Sequence, residues 1–379
     1  MKEFIAKLLL LSFSFLAFYG FPSIVLLLGK ELVSVQQAET TQRAMSSLVL
    51  YGPAYYSKTL RYKLGAVLAR SPEVIALGTS RVMQFRSRFF KNSRGFYNAG
   101  GGILQIADLP AFLEKIPQGH EPKFIILGLD PWLFNPNWKP ERAITLADDP
   151  TPLDILLDQS LRIYQDYGAG KFLLKDLLMH ENKEYIGIGI NALTKKNGFR
   201  NDGSYYYGGY IADPLNTAYP DFEFRATLKH IDNGEEWFAY GNEVSTRSLG
   251  ELAKFLQESK MRGVYVVGFL PPYPHQTYSK MLSMPDKYGY LTMIYPTIAL
   301  QFHKYGYPLF DFSDLVSIGS SDVETVDGFH ASEKAYLRLF LLMMERDQSL
   351  TQIAADKKFL RSRLEASNSP YIVFGNDEY

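Results

Sequence analysis

Short apolar runs alternate with longer amphipathic stretches through most of this chain, and one long apolar run precedes them all. The short runs are Val74–Leu77, Phe96–Asn98, Phe124–Leu129, Val264–Phe269 and Pro308–Phe312. Between them the spacing of apolar positions predicts helices near 81–91, 104–116, 246–261, 286–304 and 331–346. Runs without a polar face fit strands covered on both sides. The expected class is therefore α/β, a three-layer α/β/α arrangement around a central, mostly parallel sheet. The interval between the third and fourth runs far exceeds an ordinary connection between strand and helix. It reads as an insertion at about 131–245, with helices around 152–196 and then an irregular Gly/Tyr/Asn-rich stretch at 198–245.

The opening run carries no charge from Leu8 to Leu28 and is interrupted only by Gly20 and Pro22. At about 1.5 Å per helical residue it spans a hydrocarbon core of roughly 30 Å. A cleaved signal peptide is the nearest rival. Its apolar region is normally about 7–15 residues and ends in a small-residue cleavage site, whereas Leu26-Leu27-Leu28 runs straight into Gly29 and Lys30. Lys2 and Lys7 before the run favour a cytoplasmic N-terminus and an exported remainder. The expected organisation is an anchor at 1–30, seated in the bilayer through residues 8–28, and a helical juxtamembrane segment at 31–72. A main domain at 73–346 and a tail at 347–379 would follow, outside the cytoplasm.

Composition narrows the function classes. With 40 basic against 40 acidic residues the formal net charge is zero, so no nucleic-acid partner is expected. The chain has no cysteine, which excludes disulfides, cysteine-based metal centres and a cysteine nucleophile. No spacing of His, Asp and Glu resembles a metal site. Gly100-Gly101-Gly102 lacks the residues that complete a phosphate-binding loop. No cofactor and no metal are expected.

Candidate chemistry gathers where strands end, since functional groups in an open parallel sheet sit beyond the carboxyl ends of the strands. The first strand runs into Gly78-Thr79-Ser80-Arg81, which places Ser80 where strand gives way to helix. There its hydroxyl is accessible and its own N–H can face an anion; a plain helix-capping role is the alternative. Far along the chain, Asp327-Gly328-Phe329-His330 precedes the last long helix. Three residues apart in a loop, the carboxylate can hold one imidazole nitrogen and leave the other to take a proton from a serine hydroxyl. Serine needs such a base, because its free hydroxyl is a poor nucleophile. His330 is one of only six histidines, and it falls at the predicted active edge. The G-x-S-x-G elbow is excluded because Val82 stands at its last glycine.

These residues resemble the SGNH/GDSL-type hydrolases. Gly78-Thr79-Ser80 is similar to the family's first block, Gly-Asp-Ser, with Thr in place of Asp. Asp327-Gly328-Phe329-His330 matches its last block, Asp-x-x-His. Asn98-Ala99-Gly100-Gly101 resembles the glycine block, and that likeness implies an oxyanion hole formed by the backbone N–H groups of Ser80 and of Gly100 or Gly101. Gly128-Leu129-Asp130-Pro131-Trp132 stands where the family carries Gly-x-Asn-Asp, and it lacks the donor Asn. The likeness covers roughly residues 73–130 and 264–346. Among such proteins, the departures look most like the membrane-anchored ones that work beside membrane-bound O-acyltransferases in modifying exported polysaccharides. That implies an esterase or acyltransferase acting on acyl, chiefly acetyl, esters of a cell-surface glycan, through Ser80, His330 and Asp327. The competing expectation is a catalytically silent, glycan-binding or scaffolding subunit of an acylation complex.

Further residues are candidate substrate contacts. Arg81 beside the nucleophile suits an anionic acceptor, with an exposed first-turn arginine as the plainer reading. Asp130 and Trp132 follow the third strand, and Tyr273 follows the fourth in Pro271-Pro272-Tyr273-Pro274-His275. Arg200 and Asp202 lie in the tyrosine-rich stretch Gly198–Tyr210, which reads either as a sugar-binding wall or as a hairpin packing its own rings. His275 is read as structural or exposed.

Overall fold

The computed structural model describes residues 1–56, 59–139, 150–178 and 184–375. Side chains at positions 2, 6 and 8–12 lie outside the described set, as do the parts of the insertion and tail at 140–149, 179–183 and 376–379. The chain forms two compact units. One comprises residues 1–58, 146–201 and 205–209, and the other comprises 59–145, 202–204 and 210–379. The expected insertion is thus divided. Its parts at 146–201 and 205–209 group with the N-terminal segments, and the rest, including its start, groups with the main sheet.

In the sheet-bearing unit, five parallel strands lie side by side as Phe96–Gly100, Val74–Gly78, Phe124–Gly128, Tyr265–Leu270 and Leu309–Asp311. Each falls on an expected apolar run. Alternation along the strands sends side chains to two separate buried clusters. Ile75, Leu77, Ile125, Leu127 and Val266 meet the helices Thr246–Met261 and Tyr290–Tyr305 through Leu252, Phe255, Ile294 and Phe302. Val74, Ala76, Phe124, Ile126 and Val267 face the other way, against Leu337, Phe340 and Met344 of helix Glu333–Arg346. Burial on both faces explains why these strands show no polar alternation. In chain order the strands lie second, first, third, fourth, fifth. The order therefore reverses between the first and third strands, which is where a doubly wound sheet opens a crevice at its carboxyl edge.

The helix expected near 81–91 does not form. Three-residue 3₁₀ turns at Ser80–Val82 and Ser87–Phe89 take its place. Every residue from Arg81 to Phe90 except Arg88 is buried, whereas an amphipathic helix would leave one face to water. Asn98 holds the irregular path by donating from Nδ2 to the carbonyls of Val82 and Phe85, both at 2.9 Å. Phe85 packs edge-on against Phe269 and Tyr336. The fully buried Arg86 pairs with Glu333 at 2.6 Å and with Asp202 at 3.3 Å. The other Glu333 oxygen accepts the N–H groups of Val373 and Phe374, at 3.0 and 2.8 Å.

The first unit contains a 27-residue helix, Lys2–Leu28, with Pro22 inside it. Its Val25 and Leu26 pack with Ile155, Ile163 and Phe172, and the Tyr164 hydroxyl donates to the Phe18 carbonyl at 2.8 Å. Among the described residues no helix is long and apolar enough to cross a membrane; positions 8–12, part of the expected span, have side chains outside that set. A small four-stranded sheet completes the unit, in the order Ile186–Ile188, Val49–Tyr51, Asn197–Phe199, Tyr205–Tyr207. Strands of three residues carry too little pattern to register in sequence; the segment 31–72, expected to be helical, holds helices Val35–Ala44 and Thr59–Arg70 and departs from that expectation at strand Val49–Tyr51. The tyrosine-rich stretch is indeed a hairpin packing its own rings, with Phe199 edge-on to Tyr205 at 5.1 Å.

Candidate active site

The site is built at the reversal point of the sheet. Gly78 ends the first strand with φ +155°, and a Cβ there would lie 2.8 Å from the Gly128 carbonyl on the third strand. Glycine therefore lets the chain turn outward at this spot. Thr79 then caps the turn, its Oγ1 accepting the Arg81 N–H at 3.2 Å, and Ser80 emerges partly exposed.

The Asp327–His330 loop arrives from the opposite end of the chain. It is closed by a hydrogen bond from the Val326 N–H to the His330 carbonyl at 2.9 Å, and the following helix is capped by Ser332. Within the loop, Asp327 Oδ1 accepts the backbone N–H groups of Phe329 and His330, at 2.8 and 2.5 Å, and Oδ2 lies 2.8 Å from His330 Nδ1. On the ring's other side, His330 Nε2 is 2.9 Å from Ser80 Oγ. Partial burial pushes the Asp327 carboxyl up, but the His330 ring and the two N–H groups outweigh it and hold Asp327 below the usual carboxylate range. Ser80, His330 and Asp327 are thus in hydrogen-bond sequence, with the serine proton facing a base whose far nitrogen is held by a carboxylate.

The expected oxyanion donors fare differently. The Gly100 N–H donates to Asn98 Oδ1 at 2.8 Å, and the Gly101 N–H is shared between the carbonyls of Gly78 and Thr79 at 3.0 and 2.9 Å. Both glycines are spent on shaping the loop that follows their strand. Among the described residues, only the Ser80 N–H of the three meets no acceptor.

All six expected substrate contacts prove to be buried, with structural partners. Arg81 is 2% exposed: it pairs with Asp130 at 2.8 Å, donates to the Pro271 carbonyl at 2.9 Å and lies 3.7 Å from the Tyr273 ring centroid. Asp130 is 0% exposed and also accepts the Thr79 hydroxyl. Thr79 and Asp130 therefore satisfy each other at two of the positions where the chain departs from the SGNH pattern. Trp132 and Tyr273 are core rings. Arg200 lies in the other unit, donating to the Tyr205 carbonyl at 3.1 Å. Asp202 accepts from Arg86, Ser87 and Ser204. A buried ion pair between residues far apart in sequence leaves no local signature, so Arg81 read as exposed. His275 is exposed, with its Nδ1 at 2.9 Å from Asp314.

Sequence reasoning missed three residues beside the loop. Asp221, from the second half of the insertion, accepts the Gly328 N–H at 2.7 Å and the Thr227 hydroxyl at 2.8 Å. Phe329 lies edge-on to the His330 ring, with centroids 5.0 Å apart, and Trp237 stacks on Phe329. An aromatic between Asp and His was the only visible hint. A Cβ on Gly328 would come within 2.6 Å of Thr227. Gly328→Ala should therefore destabilise the fold by about 1–3 kcal/mol through overpacking. It should also slow any chemistry at Ser80 by shifting His330. Urea unfolding alongside a Ser80 reactivity assay would check both.

Fold and site together define the class: an α/β protein with a parallel central sheet and a Ser–His–Asp array at the carboxyl edge of that sheet. No family model and no curated protein matches this chain, so its assignment rests on this geometry.

Proposed function

We propose that the protein is an SGNH-type serine esterase or O-acyltransferase acting on acyl esters of an extracytoplasmic glycan, held at the membrane by residues 8–28. One observation carries the catalytic part, namely Ser80 Oγ at 2.9 Å from His330 Nε2 with Asp327 Oδ2 at 2.8 Å from His330 Nδ1. His330 takes the Ser80 proton as Oγ attacks the ester carbonyl. The Ser80 N–H faces the developing oxyanion, and the Asp327 carboxylate stabilises the imidazolium. As the tetrahedral species collapses, the ester C–O bond breaks and His330 passes its proton to the departing alcohol. Water or a sugar hydroxyl, deprotonated in turn by His330, then releases the acyl group from Ser80. The choice between these two acceptors separates hydrolysis from transfer. A membrane-bound O-acyltransferase as partner, and the glycan itself, follow from the family likeness.

A second reading has its own support. With the Gly100 and Gly101 N–H groups committed and no Asn beside Asp130, two of the family's oxyanion donors are missing. Each such donor is worth about 2.7–4 kcal/mol of transition-state stabilisation. That favours a silent, glycan-binding subunit. Treatment of the full chain with a fluorophosphonate decides between them by intact mass. One adduct on the wild type and none on Ser80→Ala supports the enzyme. No adduct on folded wild type, in detergent and in native membranes alike, supports the silent subunit.

A further inference from the structure

Trp237 is the most solvent-exposed of the three tryptophans: 43% exposed, against 2% for Trp132 and partial burial for Trp138. One of its faces is covered. Phe329 stacks on it with centroids 5.2 Å apart and planes 26° apart, and among the described residues no other ring packs on Trp237. Phe329 is itself 5% exposed, packs tilted against Trp132 with centroids 5.0 Å apart, and lies edge-on to His330. The open indole face thus sits one ring away from the base of the Ser80 array.

The backbone is bent to present it. Glu236, immediately before, has φ +51°, a left-handed conformation that costs a glutamate free energy. The following Phe238 is buried, 5.7 Å from Phe329, and its carbonyl accepts the Tyr288 hydroxyl at 2.9 Å. The short turn buries Phe238 and turns Trp237 outward.

We infer that Trp237 is the stacking platform for a neutral pyranose ring of the substrate, holding it so that its acyl ester or acceptor hydroxyl meets Ser80 and His330. This rests on the function proposed above and names the sugar class. A flat, rigid indole face suits the apolar C–H patch of a pyranose at little entropic cost. The adjacent Glu236 is exposed, and its charge disfavours a uronate or phosphate-bearing ring at this position. An aromatic platform beside the base also supplies substrate affinity that the sparse oxyanion site does not.

The test uses full-length protein in detergent with an O-acetylated neutral gluco-oligosaccharide. Trp237→Ala should raise KM at least tenfold while kcat falls less than threefold, and Trp237→Phe should recover most of the loss. An unchanged KM, or a fall in kcat alone, would overturn the inference, the latter because it would make Trp237 a mere prop for Phe329. Tighter binding of an oligouronate than of the neutral oligomer would overturn the sugar class. Failure of the function itself is distinguishable, since wild type would then show neither turnover nor a fluorophosphonate adduct. In that event, binding of the unacetylated oligosaccharide to Ser80→Ala decides alone. A saturable shift in tryptophan emission, lost in Ser80→Ala/Trp237→Phe, supports the platform, and no shift overturns it.

Discussion

His330→Ala should abolish fluorophosphonate labelling and ester turnover, with a loss of roughly 10⁴-fold or more. Among the described residues nothing else is placed within reach of the Ser80 hydroxyl to accept its proton, and an unassisted serine is a weak nucleophile. Asp327→Asn should fall in the same range, because an amide that donates to Nδ1 fixes the wrong tautomer and turns Nε2 into a donor. The loop makes this substitution informative. Asp327 Oδ1 also accepts two backbone N–H groups, and an Asn carbonyl oxygen can retain those, so the loop should keep its shape while the chemistry fails. Equal labelling of wild type and both variants would show that the short Ser80–His330 contact is not a catalytic one.

The second large effect concerns stability. Asp130→Ala should cost about 3–5 kcal/mol, the usual penalty for leaving one partner of a buried ion pair uncompensated. Arg81, with its side chain 1% exposed, has no water to turn to. Pairing Arg81→Met with Asp130→Leu should recover part of the loss, since the two apolar groups need no compensation while the buried Thr79 hydroxyl and Pro271 carbonyl lose their partners. Urea unfolding of the three proteins checks this. A single-variant loss under about 1 kcal/mol would mean that the guanidinium had found another partner.

Much of the edge that carries Ser80 and His330 was legible in the sequence because its signals are local. The apolar runs mark the five strands, Ser80 directly follows the first, and Asp327 and His330 share one loop. What was not legible depends on residues brought together from afar. Arg81 became an apparent surface group because its partner lies 49 positions along the chain. The segment after Ser80 looked helical, since Phe85 and Phe89 are spaced for one face. Burial on every side, with Arg86 reaching Glu333, overrides that spacing. The glycine block suggested oxyanion donors by composition, but whether an N–H is available depends on which carbonyl lies opposite. The small sheet of the first unit joins Val49–Tyr51 to Ile186–Ile188, a pairing that three-residue strands cannot announce.

The shared Glu333 carboxylate has a consequence for how the molecule is made. It ties Arg86, which follows the first strand of the central sheet, to Val373 and Phe374 close to the end of the chain. A ribosome delivers those two residues only after Arg86 and Glu333 have both been made. Until then Glu333 lacks two of its donors and Phe374 is missing from its place against Phe89. The unit that carries Ser80 and His330 can therefore close its core only once residues 373 and 374 have been delivered. Chains that stop short of Val373 should remain open, rich in exposed aromatic surface, and be cleared by proteolysis before Ser80 and His330 are brought together.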